Sequence, residues 1–370
     1  MGAILLLRQR ADATSETLGR RKSVRSFFLA AALAVAAIAL APLPSRADEG
    51  GVSFWVPGFF GSLAATPLQP GLSFASIYYH TSVTAGGNVA FARQVARGNI
   101  MTNFTGNLNA NLDADANLLM AIPSYTFAQP LLGGQATVAM LVPTGRTTAS
   151  VDATLTGNLG LGGPGFTISG GRSDETSGFG DLVPQFNLRW NAGVHNFMTY
   201  VTGNITVGAY DKTSLANLGI GHNAIDGGFG YTYFDPTKGH EFSAVAGFTY
   251  NFENDHTQYK NGVDFHLDWG ASQFLSKQFL IGLVGYIYQQ VSCDSGAGNR
   301  VGCFESRVFG VGPQIGYIIP LGEWQGYLNL KGYGEFGAEN RPEGWNVWLT
   351  FAISPAAAPP PPARTSMIRK

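Results

Sequence analysis

From about residue 71 to residue 352 the chain alternates apolar and polar side chains with a period of two. Along 241–252, Phe242, Ala244, Ala246, Phe248, Tyr250 and Phe252 alternate with Glu241, Ser243, Val245, Gly247, Thr249 and Asn251. Along 263–271, Val263, Phe265, Leu267, Trp269 and Ala271 alternate with Asp264, His266, Asp268 and Gly270. Successive side chains of a strand point to opposite faces, so each run predicts a strand with one apolar and one polar face. The runs extend over about 9 to 14 residues, whereas strands of soluble sheets cluster near 5–6 and a tilted strand crossing a bilayer needs about 9–11. Bilayer-crossing strands fit that length.

The connections alternate too. Tight ones fall at 127–134, 190–194, 235–239, 275–278 and 320–323, and long ones at 83–109, 148–178, 211–223, 252–262, 292–305 and 338–343. Outer-membrane barrels have short periplasmic turns and longer extracellular loops. The pattern predicts strands at 71–82, 110–126, 135–147, 179–190, 195–210, 224–234, 240–252, 263–274, 279–291, 306–319, 324–337 and 344–352. The expected fold is all-β: a monomeric transmembrane antiparallel β-barrel of about 12 strands over 71–352, of the bacterial outer-membrane kind, with both ends periplasmic.

The flanks agree with export. Arg20, Arg21, Lys22 and Arg25 precede the apolar run 27–41, and Ser45 and Ala47 satisfy the small-x-small cleavage rule, so 1–47 reads as a signal peptide. The apolar run is shorter than the roughly 20 residues of a spanning helix. Residues 48–70 hold Phe54, Trp55, Pro57, Phe59 and Phe60, aromatic but broken by proline and glycine and so poor as a strand. Those rings would expose several hundred Å2 of apolar surface in water, at roughly 25 cal/mol per Å2, so they should be buried. The barrel lumen is the place that shields them, which makes the segment a candidate plug or gate; a space-filling leader at the periplasmic mouth is the alternative. Residues 353–370, with Pro355 and Pro359 to Pro362, read as an extended periplasmic tail.

Composition narrows the chemistry. Only 13% of the 370 residues are charged and 49 are glycine, against about 25% and 7% in average soluble domains. A net charge of −1 supplies no field for nucleic acid, which is excluded as a partner. On 109–117, Asn109, Asn111, Asp113, Asp115 and Asn117 form a polar row at i, i+2 spacing, opposite Leu112, Ala114, Ala116 and Leu118. With lipid outside, that row should line the lumen together with Asp226, Glu241, Asp264, His266 and Asp268, and Lys331, Arg189 and Arg307 are candidate counter-charges. No metal site is expected: the acidic row lacks the turn glycine and later glutamate of an EF-hand, and the six histidines lack ligand spacing. The run 160–165 matches G-x-G-x-x-G but lies outside any strand–helix unit, so it reads as an extracellular loop. There is no G-x-S-x-G elbow, and neither catalytic residues nor a cofactor is expected. Cys293 and Cys303 share one long connection and in an exported protein should form a disulfide, with a free thiol pair as the alternative.

The runs Phe54-Trp55-Val56-Pro57-Gly58-Phe59-Phe60-Gly61-Ser62-Leu63-Ala64-Ala65, Ala75-Ser76-Ile77-Tyr78-Tyr79-His80-Thr81-Ser82 and Gly86-Gly87-Asn88-Val89-Ala90-Phe91-Ala92-Arg93 resemble the opening of an outer-membrane transporter family linked to the meta-pathway of phenol degradation. The resemblance implies a channel for passive uptake of small hydrophobic or aromatic compounds, with no catalytic motif to carry over. Its partners would be outer-membrane lipid, such solutes and the barrel-assembly machinery. A structural or adhesive surface protein using its glycine-rich loops is the alternative.

Overall fold

The computed structural model describes residues 53–86, 106–158, 165–299, 302–303 and 305–357. The expected signal peptide, residues 358–370 of the expected tail and the glycine-rich residues 160–164 lie outside them. Strands follow in the order β1 Gly71–Gly86, β2 Gly106–Thr126, β3 Gln135–Asn158, β4 Gly165–Phe179, β5 Val183–Ala192, β6 His195–Gly203, β7 Ala224–Asp235, β8 His240–Asn251, β9 Asp264–Phe274, β10 Phe279–Gln290, β11 Arg307–Leu321, β12 Trp324–Glu339 and β13 Glu343–Pro355. Each pairs antiparallel with its neighbours, and β1 pairs with both β2 and β13, which closes the sheet on itself.

The wall has twelve staves because β4 and β5 lie end to end beside β3. Leu141 pairs with Val183 and Thr144 with Phe179, so Val142 and Pro143 stand opposite three residues, Gly180 to Leu182. The extra residue interrupts the stave as a bulge does, beside a proline that has no N–H to give. The chain after β6 covers the break. Asp181 accepts hydrogen bonds from the Gly208 N–H (2.9 Å), the Ile220 N–H (3.1 Å) and the Asn204 side chain (3.1 Å), which pins 204–223 against it.

Three expectations change here. The connection expected at 148–178 is mostly a hairpin: β3 and β4 stay paired from Thr144–Phe179 out to Asn158–Gly165. Its Gly, Ser and Thr residues resemble a loop in composition yet keep the two-residue period. The strand expected at 195–210 ends at Gly203, because the following residues bond to Asp181 instead of continuing the ladder. β13 also runs on to Pro355, into the first residues of the expected tail.

Alternation sorts the side chains. Phe229, Phe248, Leu283, Ile315, Leu330 and Leu349 are exposed on the outer wall, where they form an apolar belt. Trp324 and Tyr317 stand near the tight-turn end, and Trp345 and Phe336 near the long-loop end. Such a belt between aromatic girdles is the outer surface of a bilayer-spanning barrel. The opposite parity points inward and is mixed, with Tyr286, Tyr288, Val284, Trp348 and Met120 buried in one cluster and Asp226, Thr249, Asp264, His266 and Asp268 buried elsewhere.

The same parity corrects the polar row of β2. Met120 faces the inner cluster and Leu112 packs on Ala85 and Val151, with Leu215 of the 204–223 connection against them. The even residues of β2 therefore point inward. Asp113, Asp115 and Asn117 point outward with Leu119 and Tyr125, and all are exposed. Here the strand has passed beyond the apolar belt, so its outer face meets water and the inner face is the dry one. Arg307 is likewise on the outer face, paired with Glu339 rather than with a lumen carboxylate.

Candidate functional site

The lumen is occupied by the chain's own residues 53–70, which cross it before entering β1. Val56 to Phe59 make a turn, closed by the Phe59 N–H on the Val56 carbonyl at 3.2 Å. Gly58 holds φ at +88°, and a Cβ there would lie 3.0 Å from the Tyr333 ring and 3.2 Å from Tyr286. Only glycine fits both the backbone and the space.

Charged wall residues grip this turn from two strands. The Asp268 carboxylate on β9 accepts the Gly58 N–H (2.8 Å) and the Phe60 N–H (3.1 Å). The Lys331 ammonium on β12 donates to the carbonyls of Gly58 (2.5 Å), Phe59 (3.2 Å) and Phe60 (3.1 Å). The peptide groups of one turn thus satisfy the hydrogen-bonding capacity of both a buried anion and a buried cation, which would otherwise be costly in the barrel interior.

The grip continues along the segment. Glu241 takes the Leu63 N–H at 2.9 Å, Thr232 the Ala65 N–H at 3.0 Å and Gln135 the Leu68 N–H at 2.7 Å. The Ser62 hydroxyl bonds to Ser272 at 2.6 Å and receives Gln314 Nε2 at 2.7 Å. The chain passes close to β9 there, since a Cβ on Gly270 would meet Ser62 at 2.8 Å.

Of the aromatic residues expected to be buried, Trp55 is buried and Phe59 and Phe60 are half-buried against the wall. Trp55 stacks on His266 with ring centroids 3.8 Å apart and planes 11° apart. Phe60 lies 5.4 Å from Tyr200, and Phe59 lies edge-on to Trp348 at 6.3 Å. Phe54 and Pro57 are half-buried. Behind Trp55 stands a closed polar cluster. The Asp226 carboxylate receives Tyr200 Oη (2.8 Å) and Thr249 Oγ1 (2.5 Å) and lies 3.0 Å from His266 Nε2. Asp264 receives the Asn251 amide at 2.8 Å.

Of the lumen residues expected from the sequence, Asp226, Glu241, Asp264, His266, Asp268 and Lys331 all face inward and are buried. Asp113, Asp115 and Asn117 do not join them. Thr232, Gln135, Ser272, Gln314, Tyr200 and Tyr333 also touch the inner segment or its neighbours, and no sequence motif marks them. Their strand parity was the available signal, because neutral polar side chains have no distinctive spacing.

Cys293 and Cys303 are disulfide-bonded. Their connection leans on the neighbouring one through the Lys260–Ser295 bridge and through Asp294, which accepts the Gly262 N–H at 3.1 Å. In the 204–223 connection, the Thr213 N–H and hydroxyl hydrogen-bond to Asp211 and hold its carboxyl below the usual carboxylate range.

Among solved structures, the chain is similar to an outer-membrane channel from Pseudomonas putida F1, at 14% identity and a TM-score of 0.56, covering 80% of this chain and 98% of that one. A Pseudomonas aeruginosa FadL homologue matches at 9% identity and a TM-score of 0.38, over 84% of this chain and 97% of that one. The first match shows that the fold is that of an outer-membrane β-barrel. No curated protein matches the sequence. The family of the MetA-pathway of phenol degradation matches over residues 80–351, and with most of its length so matched the chain belongs to that family.

Proposed function

We propose that this protein is a passive outer-membrane channel for small hydrophobic or aromatic compounds, gated by its own residues 54–63. The observation that carries the reading is the inner segment, whose Trp55, Phe59 and Phe60 rest against the lumen wall while its backbone is held by hydrogen bonds alone. Those bonds run to wall side chains, several of them charged and worth about 1.5–3 kcal/mol each, and none belongs to the strand ladder, so displacing the segment would disturb its grip and leave the ladder of the wall paired. Its rings occupy surface that an aromatic solute would use. The family's link to phenol degradation gives the same solute class. Export through cleavage at 1–47 and insertion by the barrel-assembly machinery complete the reading.

The test is influx and conductance. Vesicles whose outer leaflet carries lipopolysaccharide, which hydrophobic solutes cross slowly, should admit aromatic solutes faster with the protein than without it; equal rates would sink the transport reading. Deleting Phe54 to Leu63 should leave a folded barrel with higher, less selective conductance in planar bilayers. Unchanged conductance would make the segment a structural filler.

One observation favours a second reading, a contact protein of the cell surface. β2, β3 and β4 continue past the apolar belt and present Asp113, Asp115, Asp152 and Glu175 outward. Loss of cell adhesion on truncating that hairpin, with influx unaltered, would support it.

A further inference from the structure

Among the described residues, the buried lumen charges Asp226, Asp268 and Lys331 are each held by several contacts. Asp226 has two hydroxyl donors with His266 Nε2 3.0 Å away, Asp268 two backbone N–H groups and Lys331 three carbonyls. Glu241 leaves one oxygen unpaired but accepts the Leu63 N–H and the Ser243 hydroxyl with the other. Arg189 is the outlier. It points inward from β5 with 9% of its surface exposed, forms no ion pair among the described residues, and donates one long hydrogen bond, Nε to the Ala64 carbonyl at 3.3 Å. Its Nη1 is buried without a partner.

A buried guanidinium without a counter-charge is destabilising, and an ionisable group left so inside a membrane protein points to a ligand. Its surroundings identify the ligand's other half. Met198 pairs with Arg189 across the ladder and belongs to the cluster of Trp55, Ala65, Tyr200 and Val245, against which Phe60 and Ala64 pack. A planar guanidinium recognises an oxyanion through paired N–H groups, and an apolar aromatic surface begins beside it.

We propose that Arg189 is the receptor for the oxyanion of an aromatic acid passing through the lumen. The inner segment holds the place of that solute. The Ala64 carbonyl oxygen sits where a carboxylate or sulfonate oxygen binds, and the Phe60 ring sits against Tyr200 where the solute ring binds. Asp226, Asp268 and Glu241 are engaged by their own donors and none is paired with Arg189, which leaves the guanidinium free to take an anion. The inference rests on the channel reading and narrows its solutes to aromatic anions.

The test uses the full-length protein with benzenesulfonate and its uncharged isostere, benzenesulfonamide. Calorimetric titration should show the sulfonate binding at least tenfold more tightly. Arg189→Gln should bring the two probes within twofold of each other, and Arg189→Lys, which keeps the charge and loses the paired N–H groups, should retain a preference smaller than that of the natural protein. Equal binding of the two probes to the natural protein overturns the proposal, as does absence of binding or an equal loss for both probes in Arg189→Gln. The first two outcomes need no variant and so hold even if Arg189→Gln misfolds. Influx in proteoliposomes separates this proposal from the channel reading. Charge-dependent binding without influx leaves the site and sinks the channel; aromatic influx with no preference for charge does the reverse.

Discussion

β2 and β9 carry nearly the same sequence pattern and use it in opposite directions. On β9, Asp264, His266 and Asp268 alternate with Phe265, Leu267 and Trp269, and the acidic row faces the lumen. On β2, Asp113, Asp115 and Asn117 alternate with Leu112, Ala114 and Ala116, and the acidic row faces out. What differs is depth. β9 alternates within the apolar belt, beside Phe248 of β8, where lipid demands the bulky row. The β2 row lies past the belt, beside the polar hairpin β3–β4, and there Leu112 is dry because Leu215 covers it from within. Alternation states that a strand has two faces; the medium outside decides which is which.

The largest effect should come from removing the inward acid. Asp268→Ala leaves the Gly58 and Phe60 N–H groups without acceptors, at about 1–3 kcal/mol each. Hydrogen exchange at residues 58–60 should accelerate and channel conductance should rise. Asp113→Ala, the matching change on β2, should stay within about 0.5 kcal/mol in unfolding assays and leave conductance alone. If the two variants behave alike, the assignment of faces is wrong.

A smaller effect probes the outer wall. Phe248→Arg places a cation on the apolar belt, at a cost of roughly 2–4 kcal/mol near the bilayer midplane, whereas Asp115→Arg on the outer face of β2 should insert normally. Folding yield into lipid vesicles reads the contrast, and equal yields would put both positions outside the bilayer. The smallest effect concerns the turn that Asp268 grips. Gly58→Ala forces a side chain at positive φ into the Tyr333 ring and should loosen the inner segment by about 1–3 kcal/mol. Faster exchange at Phe59 and Phe60 with an unchanged global unfolding midpoint would show it.

Much of this architecture was legible in the chain. The two-residue period from 224 to 352 placed β7 to β13 to within about three residues at each end, because each crosses the belt and keeps a strict inside and outside. The aromatic residues 54–60 announced their burial through their own hydrophobicity. Legibility failed where the medium changes. The hairpin 144–179 has water on its outer face and reads as a loop by composition, and the row at 113–117 was assigned as though lipid covered it. The partners of the inner segment were hidden for another reason. Gln135, Thr232 and Gln314 are ordinary polar residues, and only the path of residues 62–68 makes them matter.

The seam of the barrel joins the beginning of the described chain to its end, with Phe74 beside Ile353. Contacts so distant in sequence form late, because the entropy of closing the longest loop must be met before they contribute. Until β13 pairs with β1, the sheet is open and does not enclose residues 53–70. The residues that become the inner segment are tethered directly to β1, one lip of that seam. Shutting the seam therefore both completes the cylinder and encloses residues 53–70, so the lumen takes shape around a stretch of its own chain.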